Sequence, residues 1–255
     1  MTALRSGDRF LRIAHRGAAA LGRENTLGAF ERAVEVGVDF VEFDVLDLAD
    51  GTLVLAHSDD LLEASHGAAA GRVRPLRLAE LREVAPDLPT LDQALDFFAS
   101  AGVGLHADVK CARHGREVAA ALRSHGLLGR AVASSFWTQA LNDLRAEEPG
   151  LAVGITYPED RYGLARRRLI APLVPSAVGL LGRALPRRIP RWLKSTDANA
   201  AMLHYAVLSK ATIARCHGLG AAVWTWTVNE PELLARVDAL GVDGVISDDP
   251  RVFLQ

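Results

Sequence analysis

Short apolar runs alternate with longer amphipathic stretches along nearly the whole chain. Residues 10–14 form an apolar run that stops at His15-Arg16-Gly17, the pattern of a buried strand delivering polar side chains to its C-terminal edge. Asn25-Thr26 signals a helix start, with Leu27, Phe30, Ala33, Val34 and Val38 on one face. Over 39–45 the side chains alternate, so Glu42 and Asp44 share one side of a strand while Val41, Phe43 and Val45 share the other. Asp50-Gly51 marks a tight turn, after which 52–56 returns as a strand ending in His57.

The alternation continues to the C-terminus. Strands are expected at 103–109, 131–134, 151–155, 200–203, 222–226 and 244–247, with helices at 78–84, 91–100, 114–125, 138–147, 209–217 and 230–237. Residues 58–77, rich in Gly, Ala and Arg without periodicity, read as a surface loop. Strands alternating with helices imply a parallel sheet, and about eight such units imply an α/β fold closed as a (β/α)8 TIM barrel. At 255 residues and 49% hydrophobic, the chain fits one barrel domain over 1–255. A barrel of this kind keeps its chemistry at strand C-termini. His15, Glu42, Asp44, His57, Asp108, Lys110, Trp226 and Asp248 all fall at or near such ends.

Composition narrows the function. A net charge of −2 carries no nucleic-acid signature. Cys111 and Cys216 stand apart without metal spacing, which suits reduced core residues in a cytoplasmic protein. The first residues lack the apolar core of a signal peptide, and the apolar run 169–181 is short and broken by Pro172 and Pro175. One region breaks the plain barrel pattern. Residues 161–194 read as an insertion with nine basic residues and no acid, leaving 20 of the 29 Lys and Arg to face 31 acids elsewhere. Interleaved with Leu, Ile, Val and Trp, this segment suits a peripheral contact with an anionic membrane at its inner face. It suits equally a longer barrel helix whose arginines are solvated.

The candidate chemistry lies in the polar residues at strand ends. Two acids on one strand face repel unless a cation joins them, and their oxygens suit a hard divalent ion such as Mg2+ or Ca2+. Histidines titrate near neutrality and so can act as acid and base. An arginine beside the first matches phosphate oxygens. Metal, phosphate and an acid–base pair together indicate phosphodiester chemistry.

The order H-R-G at 15–17, E-N-T at 24–26, E-F-D at 42–44 and D-G-T-L-V-L-A-H at 50–57 resembles the N-terminal signature of the glycerophosphodiester phosphodiesterase family. Asp108-Val109-Lys110, Trp226-Thr227-Val228-Asn229 and the strand 241–248 are similar to later motifs of that family, so the resemblance spans nearly the whole chain. It implies His15 and His57 as catalytic groups, Glu42, Asp44 and Asp108 as metal ligands, and Arg16, Lys110 and Trp226 as substrate contacts. The implied reaction is metal-dependent cleavage of a glycerophosphodiester through a cyclic phosphate, giving an alcohol and glycerol 3-phosphate. Two alternatives stay open: a lysophospholipase D acting on lysophospholipids, and a silent barrel that binds phospholipid. The chain departs from the family pattern at Asp108, where Glu is usual, at Ser58, where Asp usually follows the second histidine, and at Arg23, where Pro is usual. Glu24 is a candidate for ordering the site around His15. His106 and His204 read as core residues outside the site.

Overall fold

The computed structural model describes residues 2–7, 9–158 and 174–254. In chain order the strands are β1 (Leu11–Ala14), β2 (Phe40–Asp47), β3 (Leu53–Leu55), β4 (Gly104–Val109), β5 (Ala131–Ser135), β6 (Ala152–Tyr157), β7 (Ala200–His204), β8 (Ala222–Trp226) and β9 (Gly244–Ser247). All but β3 run parallel, each paired with the next, and β1 closes the ring by pairing with both β9 and β2. The expected TIM barrel is therefore present. β3 is an appendage, antiparallel to the outer half of β2, which places His57 at the barrel mouth from a hairpin rather than from a barrel strand.

Alternation along the strands divides the core in two. Inward-facing Ile13, Phe40, Val132, Met202, Trp224 and Ile246 fill the lower barrel and are almost wholly buried. Each stabilises the fold by roughly 1.5–3 kcal/mol through the area it removes from water. A Cβ at Gly104 would lie 2.5 Å from the Phe40 ring, so a glycine on β4 is what lets the ring occupy the axis. Outward-facing side chains pack under the helices, with Phe43 and Phe98 stacked at 5.4 Å. Helix α1 (Leu27–Val36) starts where Thr26 accepts from the Ala29 amide and stops at Gly37 in the left-handed region.

The segment expected as a loop over 58–77 contains a short helix, α2 (Leu61–Ala64). Leu61 and Ala64 bury against Val54, Ala56 and Val73. Four residues are too few to show helical periodicity, which is why the pattern reads as irregular. Helices α3 (Leu78–Val84), α4 (Leu91–Ala101), α5 (Gly115–Ser124) and α6 (Thr138–Glu147) agree with expectation within a few residues.

The basic stretch divides. Residues 161–168, with four of its arginines, lie outside the described residues. From Val174 it is helix α7 (Val174–Thr196), joining β6 to β7. Leu185, Ile189 and Leu193 are buried against the barrel, and Arg183, Arg187, Arg191 and Lys194 face solvent. Much of the apolar pattern is thus used in packing, as in the solvated-helix reading. Helices α8 (Lys210–His217) and α9 (Pro231–Asp238) complete the outer layer. No helix among the described residues is long and apolar enough to cross a membrane.

Candidate active site

Register builds the centre of the site. Parallel pairing sets Glu42 beside His106, Asp44 beside Asp108, and Asp108 beside Ser134. Paired positions present side chains to the same face, so β2 and β4 bring three carboxylates together inside the upper barrel. One oxygen from each of Glu42, Asp44 and Asp108 lies within 4.8 Å of the others, and all three residues are buried.

The cations around this cluster fall one charge short. Lys110 pairs with Asp108 and lies 2.9 Å from Asp44 Oδ1. Arg16 brings its Nε to 3.2 Å from Asp44 Oδ2. Burial and the neighbouring Asp44 push the Glu42 carboxyl well above its ordinary range. Burial opposes ionisation of Asp44 as well, but Lys110 and Arg16 prevail and hold it far below the carboxylate range. Burial also works against charge on Lys110 and Arg16, yet the acids facing them raise both. Three oxygen donors and a partly neutralised negative charge fit a hard divalent cation.

The H-R-G turn depends on its glycine. Arg16 and Gly17 have φ of 51° and 81°, and a Cβ on Gly17 would meet the Ala29 backbone at 2.8 Å. Holding Arg16 left-handed costs of the order of 1–2 kcal/mol. The turn aims the Arg16 amide at Glu42 Oε2, at 2.8 Å, and its guanidinium into the acid cluster. Each residue of E-N-T serves this arrangement. Glu24 accepts from Arg16 Nη1 at 2.8 Å, Asn25 bonds Asp44 through both its amide atoms, and Thr26 caps α1.

Both histidines are held from behind. His15 Nδ1 lies 2.5 Å from Asp248 Oδ1, and Asn229 Nδ2 donates to Asp248 Oδ2 at 2.7 Å. His57 Nδ1 lies 2.8 Å from Glu63 Oε1, and Ser58 Oγ donates to Glu63 Oε2 at 2.9 Å. An ionised carboxylate only accepts, so Nδ1 of each neutral ring carries the proton and Nε2 offers a lone pair. His15 Nε2 is 3.9 Å from Glu42 Oε2. Burial and then Arg16 lower the His15 pKa, against the pull of Asp248, which favours the neutral ring.

Asp108, one methylene shorter than the family's usual Glu, is fixed by its neighbours. Ser134 Oγ donates to its Oδ1 at 2.5 Å and Thr156 Oγ1 at 3.2 Å. Since the single Ser134 proton is used there, His106 Nε2, 2.8 Å from Ser134 Oγ, must be the donor in that pair. His106 is buried level with Glu42, two residues before Asp108 on β4, and burial lowers its pKa to about 4. The sequence reading sets it among core residues; the structure adds a chain His106–Ser134–Asp108 that periodicity does not reveal. Trp226 stands at the end of β8, its Nε1 donating to Met202 O at 3.2 Å and its ring edge-on to His204. A cleft of about 790 Å3 adjoins Arg16 and is lined also by Arg23, Glu24, Asp60, Glu63 and His66.

Residues 15–252 match the model of the glycerophosphoryl diester phosphodiesterase family. A glycerophosphodiester phosphodiesterase of Caldanaerobacter subterraneus is 26% identical, over 95% of both chains. One from Bacillus subtilis is 25% identical, over 98% of this chain and 87% of its own. Among solved structures, an Oleispira antarctica phosphodiesterase in complex with the product sn-glycerol-3-phosphate is similar at a TM-score of 0.73 and 25% identity, covering 94% of this chain and 93% of that one.

Proposed function

The chain belongs to the glycerophosphoryl diester phosphodiesterase family, and from that premise we propose that it hydrolyses glycerophosphodiesters to an alcohol and sn-glycerol 3-phosphate. The observation that carries this reading is the pair His15 and His57 at the barrel mouth, each held through Nδ1 by a carboxylate, with His15 Nε2 3.9 Å from Glu42 of the buried acid cluster. Glu42, Asp44 and Asp108 would hold Mg2+ or Ca2+. When bound, such a cation polarises the phosphoryl oxygen and offsets negative charge.

One imidazole takes the proton from a glycerol hydroxyl, whose oxygen attacks phosphorus. The other donates a proton to the departing alcohol as its P–O bond breaks, leaving a five-membered cyclic phosphate. Water then opens the ring with the two histidines in exchanged protonation states. Arg16 and Lys110 bind the non-bridging oxygens and meet the charge that grows on them in the transition state. Trp226 forms a wall of the mouth against the glycerol or head group.

The test offers glycerophosphocholine and lysophosphatidylcholine in parallel to metal-stripped protein, with and without Mg2+ or Ca2+. Glycerol 3-phosphate appearing only with metal is the expected result, and His15→Ala should lower turnover by about 10²–10⁴-fold. Lysophosphatidic acid as the only product would transfer the same machinery to lysophospholipids. No product from either would favour a barrel that binds phospholipid without turning it over.

A further inference from the structure

We propose that Glu63, carried by α2, is the positioning residue that fixes the tautomer and orientation of His57. The inference rests on the phosphodiesterase reading for its kinetic consequence, but the geometry is independent of it.

The two histidines are held in the same way by unrelated parts of the chain. Asp248 spends one oxygen on His15 Nδ1 and is steadied at the other by Asn229. Glu63 spends Oε1 on His57 Nδ1, at 2.8 Å, and is steadied at Oε2 by Ser58 Oγ, at 2.9 Å. Arg16 Nη1, 3.8 Å from Glu63 Oε1, joins this carboxylate to the phosphate-facing guanidinium. A carboxylate that accepts at Nδ1 keeps the proton there and points the Nε2 lone pair away from itself.

The segment around Glu63 is built to hold it still. Asp60 caps α2 by accepting from the Leu62 amide at 3.0 Å. Asp59 accepts from Arg72 Nε at 2.7 Å and from the Arg74 amide at 2.8 Å, folding the segment back on itself. Ser65 and Ala69 exchange two hydrogen bonds, and Leu61 and Ala64 anchor the helix in the apolar cluster beneath β3. Glu63 therefore approaches His57 from a fixed backbone, which is what an orienting group needs. Ser58 follows the catalytic histidine directly and has no carboxylate of its own; its hydroxyl serves that of Glu63.

Two readouts test this. In protein labelled with 15N-histidine and held where the ring is neutral, His57 is expected as the Nδ1–H tautomer, with the preference lost in Glu63→Ala. In steady-state kinetics with glycerophosphocholine, Glu63→Ala should lower kcat by about 10²-fold, short of the roughly 10⁴ lost when a triad histidine takes the wrong tautomer. KM should stay within about twofold, because the group acts through the base or acid rather than on the substrate. Glu63→Gln, whose amide can turn an N–H toward Nδ1 and so favour the Nε2–H tautomer, should restore little of the kcat lost in Glu63→Ala. An Nε2–H tautomer in the unsubstituted protein, or an unchanged kcat in Glu63→Ala, would overturn the proposal. A protein inert toward every diester would sink the phosphodiesterase reading instead, and the tautomer measurement, which needs no substrate, would still decide what Glu63 does.

Discussion

Glu42 is the residue on which stability and chemistry pull in opposite directions. It is buried beside Asp44 and Asp108, and burial with like charge makes its ionised form unfavourable. Glu42→Gln removes one of three crowded charges while keeping the side chain's shape. In metal-stripped protein it should therefore raise unfolding stability by about 1–2 kcal/mol, read by urea denaturation in chelator. Adding Mg2+ or Ca2+ should stabilise the unsubstituted protein and leave the variant nearly unmoved. A loss of stability in the stripped variant would mean that Glu42 is a structural partner of the Arg16 amide and not a site for a cation. Motif order makes Glu42, Asp44 and both histidines legible from sequence, because they lie in short contiguous patterns at strand ends. Glu63 and Ser134 are not, because their partners arrive through an irregular hairpin extension and through a neighbouring strand.

At the scale of elements, the start of β2 is latched to β1 by one carboxylate. Asp39 takes two hydrogen bonds from Arg9, at 2.6 and 2.8 Å, and one from the Arg12 amide, at 2.8 Å. Burial opposes its ionisation, but these donors prevail and bring its pKa down to about 2 from an ordinary 3.8. A carboxyl depressed in the folded state contributes stability above its unfolded pKa and loses it as pH falls through the folded value. Asp39 should thus lose its contribution between 3.8 and about 2. Its main partner, Arg9, is 49% exposed, so solvent screening reduces that contribution to about 1 kcal/mol. Asp39→Asn should cost about this much at neutral pH and flatten the acid limb of a pH–stability curve in that window. An unchanged acid limb would assign it to other carboxylates.

For the whole molecule, the barrel separates what holds it together from what it does. The N-terminal residues close the end opposite the acids. Thr2 Oγ1 donates to Ala131 O at 2.9 Å, Arg5 Nη2 to Ala221 O at 2.6 Å, and Trp224 Nε1 to Leu4 O at 3.0 Å. Removing residues 1–6 would leave the Trp224 indole N–H without that partner and uncover Leu4's packing surface. Thermal melting should show a loss of about 2–3 kcal/mol, while kcat/KM stays within about twofold, because stability resides at the bottom face and chemistry at the top. A fall in kcat/KM comparable to the loss of stability would show that the two ends are coupled.

Sequence alone determined the alternation of strand and helix, hence the barrel, and the chemical types placed at its strand ends. Those features are local: a period of two or 3.6, a cap, a turn, a polar residue after an apolar run. Only the tertiary structure decided which groups face one another. Register set Asp44 against Asp108 and Asp108 against Ser134, the closing strand β9 delivered Asp248 to His15, and a four-residue helix delivered Glu63 to His57. The pairs that orient the histidines are 233 and six residues apart. Neither separation follows a secondary-structure period, so three-dimensional closure of the chain had to bring them together.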